Sequence, residues 1–128
     1  ATGAAMPTDR TIDGANMLPL LEKKPEGERI LFWRDGHYMA VQVGGWKLQT
    51  ATRPRKDWLY NLNEDPTEKH NLAGSMPDKV AQLKKLLSDH NSTQREPLFP
   101  AVGEMPVTID KTLEEPATKD DEYIYWPG

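Results

Sequence analysis

The residues of this chain that could carry chemistry are few and widely spaced. The 128 residues include His37, His70 and His90 but no cysteine. The histidines lack the close spacing that is typical of a metal site, and the absence of cysteine excludes thiolate chemistry and disulfides. We therefore expect each histidine to lie at the surface or in a turn.

Two charged clusters could in principle bind ions. Asp120 and Asp121 are adjacent carboxylates, but no predicted strand precedes them and no Asp or Asn partner accompanies them. The stretch TRPRKDW at 52–58 is basic with one aromatic residue, and a solvated loop explains it better than an anion site. The net charge of −4, without a long basic run, argues against nucleic acid as a partner. No apolar run approaches the roughly 20 residues that span a bilayer, which argues against a membrane.

The elements that position these side chains are clearest between residues 30 and 62. Asp35-Gly36 and Gly44-Gly45 are two-residue turn signals of hairpins, since these residues tolerate positive φ. A loop at Asp35-Gly36 pairs Phe32 with Met39. Because side chains alternate between the faces of a strand, the two turns place the same apolar set on one face: Ile30, Phe32, Met39, Val41, Val43, Trp46 and Leu48. The segment WLYNL at 58–62 is predicted as a fourth strand, reached through the basic loop.

The opposite face of this sheet carries a second apolar group. The same register places Leu31, Trp33, Tyr38 and Ala40 together, with Trp33 opposite Tyr38. Such a patch on a water-facing surface often marks an interface. We therefore predict these four residues as interface candidates. We expect them to be covered by another domain, by a second copy of the chain, or by three aromatic residues of the C-terminal tail, Tyr123, Tyr125 and Trp126.

One amphipathic helix is predicted after the sheet. The segment Ser75-Met76-Pro77-Asp78 begins like a helix, with either of its first two residues as the cap and proline in the first turn. Val80, Leu83 and Leu87 recur at helical spacing, and the pattern continues to about residue 90. This apolar stripe is expected to lie over the first apolar face of the sheet.

The predicted fold class is α+β, a small antiparallel sheet of about four strands packed against one C-terminal amphipathic helix. Residues 1–29 are predicted as an irregular arm with a helical turn near 16–22. Residues 30–91 form the sheet-and-helix unit. Residues 92–128 are predicted as a proline-rich extended tail, since five of the 11 prolines fall between 97 and 127.

Four segments, read in order, resemble the C-terminal region of arylsulfatases, which belong to the alkaline-phosphatase-like superfamily. They are DRTIDGANMLPLLEKK at 9–24, ILFWRDGHYMAVQVGGWKLQ at 30–49, LYNLNEDPTEKHNLA at 59–73 and KDDEYIYWPG at 119–128. The third segment is the most specific, because it is similar to the LYDL…DP.E..NLA pattern of the family. The resemblance extends over almost the whole chain.

The resemblance implies a part of a sulfuric ester hydrolase rather than a complete one. The family uses a calcium ion and a formylglycine, made from Cys or Ser in a C/S-x-P-x-R motif of the catalytic domain. Ser75-Met76-Pro77-Asp78-Lys79 is a near match, but lysine replaces the required arginine, and we interpret it as the start of the helix. We therefore expect no catalytic residue, metal site or cofactor in this chain, and substrate-binding residues stay unassigned.

The implied partner is the sulfatase catalytic domain, or a second copy of the chain. In the first case the chain completes the fold of an arylsulfatase and forms one wall of its substrate cleft. The alternative is a stand-alone binding or assembly module that reuses this subdomain. The resemblance is compatible with a periplasmic or secreted location, and the composition leaves the compartment open.

Overall fold

A computed structural model of the chain describes residues 4–10, 12, 14, 16–22, 28–96, 98–99, 103–112 and 114–127, with the side chains of 20 and 127 left aside. The helical turn expected near 16–22 is present as a short helix. The elements are α1 Leu18–Leu21, β1 Ile30–Asp35, β2 Tyr38–Val43, β3 Trp46–Thr52, β4 Arg55–Asn61, α2 Pro77–Ser92, β5 Glu104–Thr108 and β6 Tyr123–Pro127.

The main body is an antiparallel sheet in the order β1-β2-β3-β4, with α2 packed on it. The predicted α+β architecture is therefore confirmed for the sheet and its helix. The second turn has the predicted register, with Val43 paired to Trp46. Within the described residues, neither helix is both long and apolar enough to cross a membrane.

The register predicted for the first hairpin is wrong. Asp35 pairs with Tyr38, so the two-residue loop is Gly36-His37 rather than Asp35-Gly36. Among Asp35, Gly36 and His37, Gly36 alone has a positive φ, at 53°. Glycine adopts a positive φ without strain, and a loop that begins at Gly36 keeps Asp35 in the strand with an ordinary negative φ. The pairing moves by an even number of residues, so every side chain keeps its predicted face.

The fourth strand is longer than predicted at its start. It begins at Arg55, and the connection from β3 is a tight turn at Arg53-Pro54. The register pairs Thr52 with Arg55. Most of the stretch interpreted from sequence as a solvated basic loop is therefore paired strand.

Helix α2 covers one face of the sheet, which we call the helix face. Val80, Leu83 and Leu87 are its buried residues, as predicted. They pack against buried Val41, Leu48 and Leu59 in a single cluster. The helix starts after Met76, whose side chain makes no capping hydrogen bond, and proline occupies the first turn. Pro77 has no backbone N–H, so the helix start has one unpaired donor fewer for a capping side chain to satisfy.

The tail contains a second sheet that the sequence analysis did not predict. Strands β5 and β6 pair as an antiparallel ribbon, with Pro106 opposite Tyr125. A proline is tolerated in a two-stranded ribbon because such strands have open edges that need no donor. The ribbon packs through Ile124, which is fully buried, onto Ala51, Trp58 and Tyr60 of the main sheet. We call this second side of the sheet the ribbon face.

Candidate functional site

The three histidines occupy separate places in the fold. His70 is exposed beside Asp65, and the His90 ring stacks on Phe32 with centroids 3.9 Å apart. His37 lies in the first turn, where its side chain is only 15% exposed and its Nε2 is 3.9 Å from Oε1 of Glu104. Within the described residues no group of three or more His, Cys, Asp or Glu residues could hold a metal ion.

The adjacent carboxylates of the tail have different surroundings. Asp121 pairs with the Lys111 ammonium and accepts hydrogen bonds from Thr118. These contacts, led by the one with Lys111, lower the pKa of Asp121 to about 2. Asp120 is exposed. The structure thus gives Asp121 a role in holding the loop between β5 and β6.

The basic residues after β3 bind the ribbon. Arg53 donates to Glu104 at 2.6 Å, and Lys56 donates to Glu122 at 2.5 Å. Glu122 also accepts the indole N–H of Trp58, and these hydrogen bonds lower the pKa of its carboxyl against the opposing effect of burial. Two of the three cationic residues at 53–56 therefore neutralise carboxylates of the ribbon and its loop, which explains the charge of this stretch without a bound anion.

The segment 59–73, which we call the bracket, contains the end of β4 and then runs along the open edge of that strand. The Asn71 side-chain oxygen accepts the backbone N–H of Leu59 at 3.0 Å, and its amide donates to the Asp57 carbonyl at 3.1 Å. The backbone N–H of Leu72 donates to the Leu59 carbonyl at 2.8 Å. One asparagine and one backbone group thus pair with the Leu59 N–H and with the carbonyls of Leu59 and Asp57, which an edge strand otherwise leaves unpaired.

The start of the same bracket is held by Asp65. Its carboxylate accepts the backbone N–H groups of Lys69 and His70 at 3.0 and 2.7 Å. These two hydrogen bonds are the main reason that the pKa of Asp65 is lowered. Leu72 packs on the hydrophobic core under the helix. The contacts of this segment are structural ones.

The interface candidates of the ribbon face separate into two pairs. Ala40 is buried and Tyr38 is half-buried, whereas Leu31 is 37% and Trp33 is 46% exposed. Trp33 faces Ala40 across the strands rather than Tyr38. The expected patch is therefore open only at its β1 side.

The tail covers part of this face, but not through the three aromatic residues expected. Trp126 does pack on Tyr38, with ring centroids 5.0 Å apart. Tyr123 and Tyr125 remain 42% and 39% exposed, and the buried anchor of the ribbon is Ile124. Side chains alternate along β6, so a strand that turns Ile124 and Trp126 towards the main sheet must turn its tyrosines away.

A groove lies where the ribbon ends and the exposed part of β1 begins. Its volume is about 380 Å³, at the lower end of the range of about 300–1,000 Å³ for small-molecule pockets. Ala40 leaves space between larger neighbours, because its side chain is a single methyl group. The groove is lined by Trp33, Tyr38, Ala40, Gln42, Lys47 and Trp126.

A chain of hydrogen bonds fixes the floor of the groove. The Tyr38 hydroxyl donates to the side-chain oxygen of buried Gln49 at 2.7 Å, and the Gln49 amide donates to Glu68 at 2.5 Å. Glu68 also accepts from Lys47 at 2.6 Å. Burial, with a smaller effect of the Glu68 charge, raises the pKa of Tyr38 to about 12. Tyr38 is therefore a neutral hydrogen-bond donor near neutral pH.

Sequence reasoning missed four of the residues that line or support this groove: Gln42, Lys47, Gln49 and Glu68. Glu68 reaches the sheet from the 59–73 bracket, with a positive φ of 57° that is uncommon for a residue other than glycine. The strand alternation did place Gln42 and Lys47 on the ribbon face, and this signal could have found them. A comparison of the chain with models of known protein families finds no match.

Proposed function

We propose that this chain is the C-terminal subdomain of an arylsulfatase-like sulfuric ester hydrolase. In this role it completes the fold and forms one wall of the substrate cleft, while the catalytic domain supplies the nucleophile and the calcium ion. The order of the four segments along the chain supports the proposal. The structural bracket at 59–73 supports it as well, because a subdomain of this kind needs no catalytic groups of its own.

The observation that carries the proposal is the uneven cover of the sheet. Helix α2 covers one face, and the ribbon covers the other face over β3 and β4. Leu31 and Trp33 on β1 are left 37% and 46% exposed beside the groove. A docked catalytic domain would bury Leu31 and the outer edge of Trp33, and the side of Trp33 that lines the groove would then face the cleft.

The test begins with the coding sequence in front of the codon for Ala1. We expect an in-frame or neighbouring reading frame that encodes a C/S-x-P-x-R motif. The encoded catalytic domain and the present chain are then produced together and assayed with 4-nitrophenyl sulfate and calcium. Trp33→Asp should weaken the association of the two parts and the hydrolysis, because it places a charge in the docked margin.

Leu98→Asp is the matched control, since Leu98 is 85% exposed and lies outside the sheet. It should leave both association and hydrolysis unchanged. A start codon directly before this chain, with no C/S-x-P-x-R motif encoded nearby, would contradict the proposal. Equal effects of the two substitutions would contradict the assignment of the docking margin.

A stand-alone binding or assembly module is the second candidate, and the groove favours it. Six side chains of this chain shape a cavity of about 380 Å³, which is large enough for a small ligand. Light scattering separates the two forms of this alternative. An assembly module is expected to be an oligomer, and a binding module a monomer.

A further inference from the structure

We propose that the groove between β1 and β6 binds a neutral hexopyranose unit of an oligosaccharide. The biological setting of this inference rests on the proposed function, in which the groove lies in the cleft wall, but the groove itself is built by this chain. It combines exposed indole surface with hydrogen-bonding groups at its margin. This is the combination that recognises a pyranose ring, which has apolar C–H faces and a polar equator.

The apolar side of the site comes from two tryptophans on separate sheets. Trp33 on β1 is 46% exposed and Trp126 on β6 is 37% exposed, although both line the same groove. Trp126 is held by its contact with Tyr38, so its position does not depend on a ligand. Large aromatic faces that stay open to water at a preformed groove are suited to stacking on a ring.

The polar side of the site has hydrogen-bonding capacity that the protein leaves unused. Within the described part of the chain, the Gln42 amide makes no hydrogen bond. The Lys47 ammonium has three donors and gives one of them to Glu68. Gln42 and Lys47 are direct cross-strand neighbours, so their free groups lie together at the margin. Hydroxyl groups on the equator of a sugar can pair with both.

The charge of the groove selects the neutral sugar. Lys47 and Glu68 form an ion pair at 2.6 Å, with the two side chains 24% and 22% exposed. This pair leaves the groove without a net charge for an anionic group. In the setting of the proposed function, a sulfate ester would lie towards the catalytic domain and an unsulfated neighbouring sugar would lie in the groove.

The size of the groove argues against a protein segment as the occupant. A volume of about 380 Å³ suits a small ligand, whereas stable protein interfaces bury at least about 1,200 Å² in total. A flat aromatic ligand could stack on the indoles, but it would not use the margin formed by Gln42 and Lys47.

The experiment is a titration of the ¹⁵N-labelled full chain followed by NMR, with cellotetraose, mannotetraose and galactotetraose as probes. The four tryptophans give four indole N–H signals. At least one probe should shift the signals of Trp33 and Trp126 saturably at millimolar concentrations. The signals of Trp46 and Trp58 should stay in place, because Trp46 packs towards the helix and Trp58 is buried under the ribbon.

Two variants test the two sides of the site. Trp33→Ala should weaken binding roughly tenfold or more by loss of stacking, and Gln42→Ala should weaken it several-fold. Tyr125→Ala is the control, because Tyr125 is an exposed aromatic residue of the same ribbon that lines a different pocket, with Arg53 and Glu104. It should bind like the wild-type chain.

Several results would overturn the inference. These are the absence of saturable shifts with all three probes, and unchanged affinity in both Trp33→Ala and Gln42→Ala. If 4-nitrophenol shifts the same signals and binds more tightly than any saccharide, the groove binds a flat aromatic ligand instead. If the chain is a dimer that Trp33→Ala dissociates, the groove is covered by a second copy of the chain. The titration measures saccharide binding and not hydrolysis. A negative titration therefore does not contradict the proposed sulfatase role, and a failure of that role does not contradict a measured saccharide affinity.

Discussion

At the scale of single residues, Asn71 has the most consequential side chain of the 59–73 segment. It accepts the backbone N–H of fully buried Leu59 and also that of Ala73, and it donates to the Asp57 carbonyl. Asn71→Ala should lower the free energy of unfolding by about 1–3 kcal/mol, because a buried backbone donor loses its partner. Urea denaturation measures this change.

The control for this substitution is Asn63→Ala. Asn63 is exposed, and within the described residues its side chain makes no hydrogen bond. Its free energy of unfolding should stay within about 0.5 kcal/mol of the wild-type value. Equal effects of the two substitutions would show that the bracket adds nothing to the edge of β4.

Tyr38 makes the stability of the fold dependent on pH at alkaline values. Its pKa is about 12, above the ordinary value of about 10, because of burial and the Glu68 charge. The folded state therefore keeps a proton that the unfolded state releases. The resulting stability is fully present below about pH 10 and is lost as the pH rises through about 12.

The substitution Tyr38→Phe tests this dependence. It should lower stability at neutral pH by removing the hydrogen bond to Gln49, and it should also flatten the fall in stability between about pH 10 and about pH 12. Part of the fall should remain, because burial also raises the pKa of Tyr60. Urea midpoints measured across this range provide the slope. Parallel curves for the two proteins would contradict the assignment.

At the scale of elements, α2 and β6 cover opposite faces of the sheet by the same means. Each presents a buried apolar residue, Leu83 at 1% exposure and Ile124 at 0%, to a face formed by alternate strand residues. The helix contributes more than one such residue, whereas the ribbon depends mainly on Ile124. The ribbon should therefore be the more easily detached of the two.

The helix contact is tested by Leu83→Ala. We expect a loss of about 2–5 kcal/mol in the free energy of unfolding, since truncating a buried leucine removes apolar contacts and leaves a cavity. Lys85→Ala on the same helix is the control, because its side chain is 73% exposed and, among the residues that the structure describes, pairs with Asp89 alone. Its effect should stay within about 0.5 kcal/mol. A melting temperature unchanged in Leu83→Ala would rule out the packing described for α2.

The ribbon contact is tested by Ile124→Ala. The ribbon should loosen, with a loss of about 2–5 kcal/mol if it unfolds together with the sheet, and the Trp58 indole should become accessible to acrylamide. Tyr125→Ala on the same strand should do neither, because that side chain is already 39% exposed. Identical quenching of the two variants would show that Ile124 does not anchor the ribbon.

At the scale of the whole molecule, the proposed role predicts that the chain alone does not hydrolyse aryl sulfates. Sulfate-ester cleavage needs an activated nucleophile and a cation that polarises the ester, and the resemblance assigns both to the catalytic domain. The purified chain with 4-nitrophenyl sulfate and calcium should release phenolate at the rate of buffer alone. An active arylsulfatase under the same conditions is the positive control. Turnover that survives repurification would contradict this prediction.

The local structure of the main sheet and its helix could be predicted from the sequence alone. Glycine turn signals, strict alternation and one helical stripe identified β1 to β4, the two faces and the three buried residues of α2. These features follow from periods of two and 3.6 residues, which are visible without knowledge of distant contacts. The exact register of the first hairpin was not determined, because Asp35-Gly36 and Gly36-His37 are both plausible two-residue loops and only the φ of Gly36 separates them.

The elements that cover the ribbon face could not be predicted from the sequence, because they depend on tertiary contacts. Strands β5 and β6 are short and contain prolines, and Trp58 and Ile124 meet across more than 60 residues of sequence. Such pairings depend on long-range contacts for which a local pattern carries no signal. The groove arises for the same reason. Its two tryptophans belong to the first and last strands, and its ion pair joins β3 to a loop residue with positive φ.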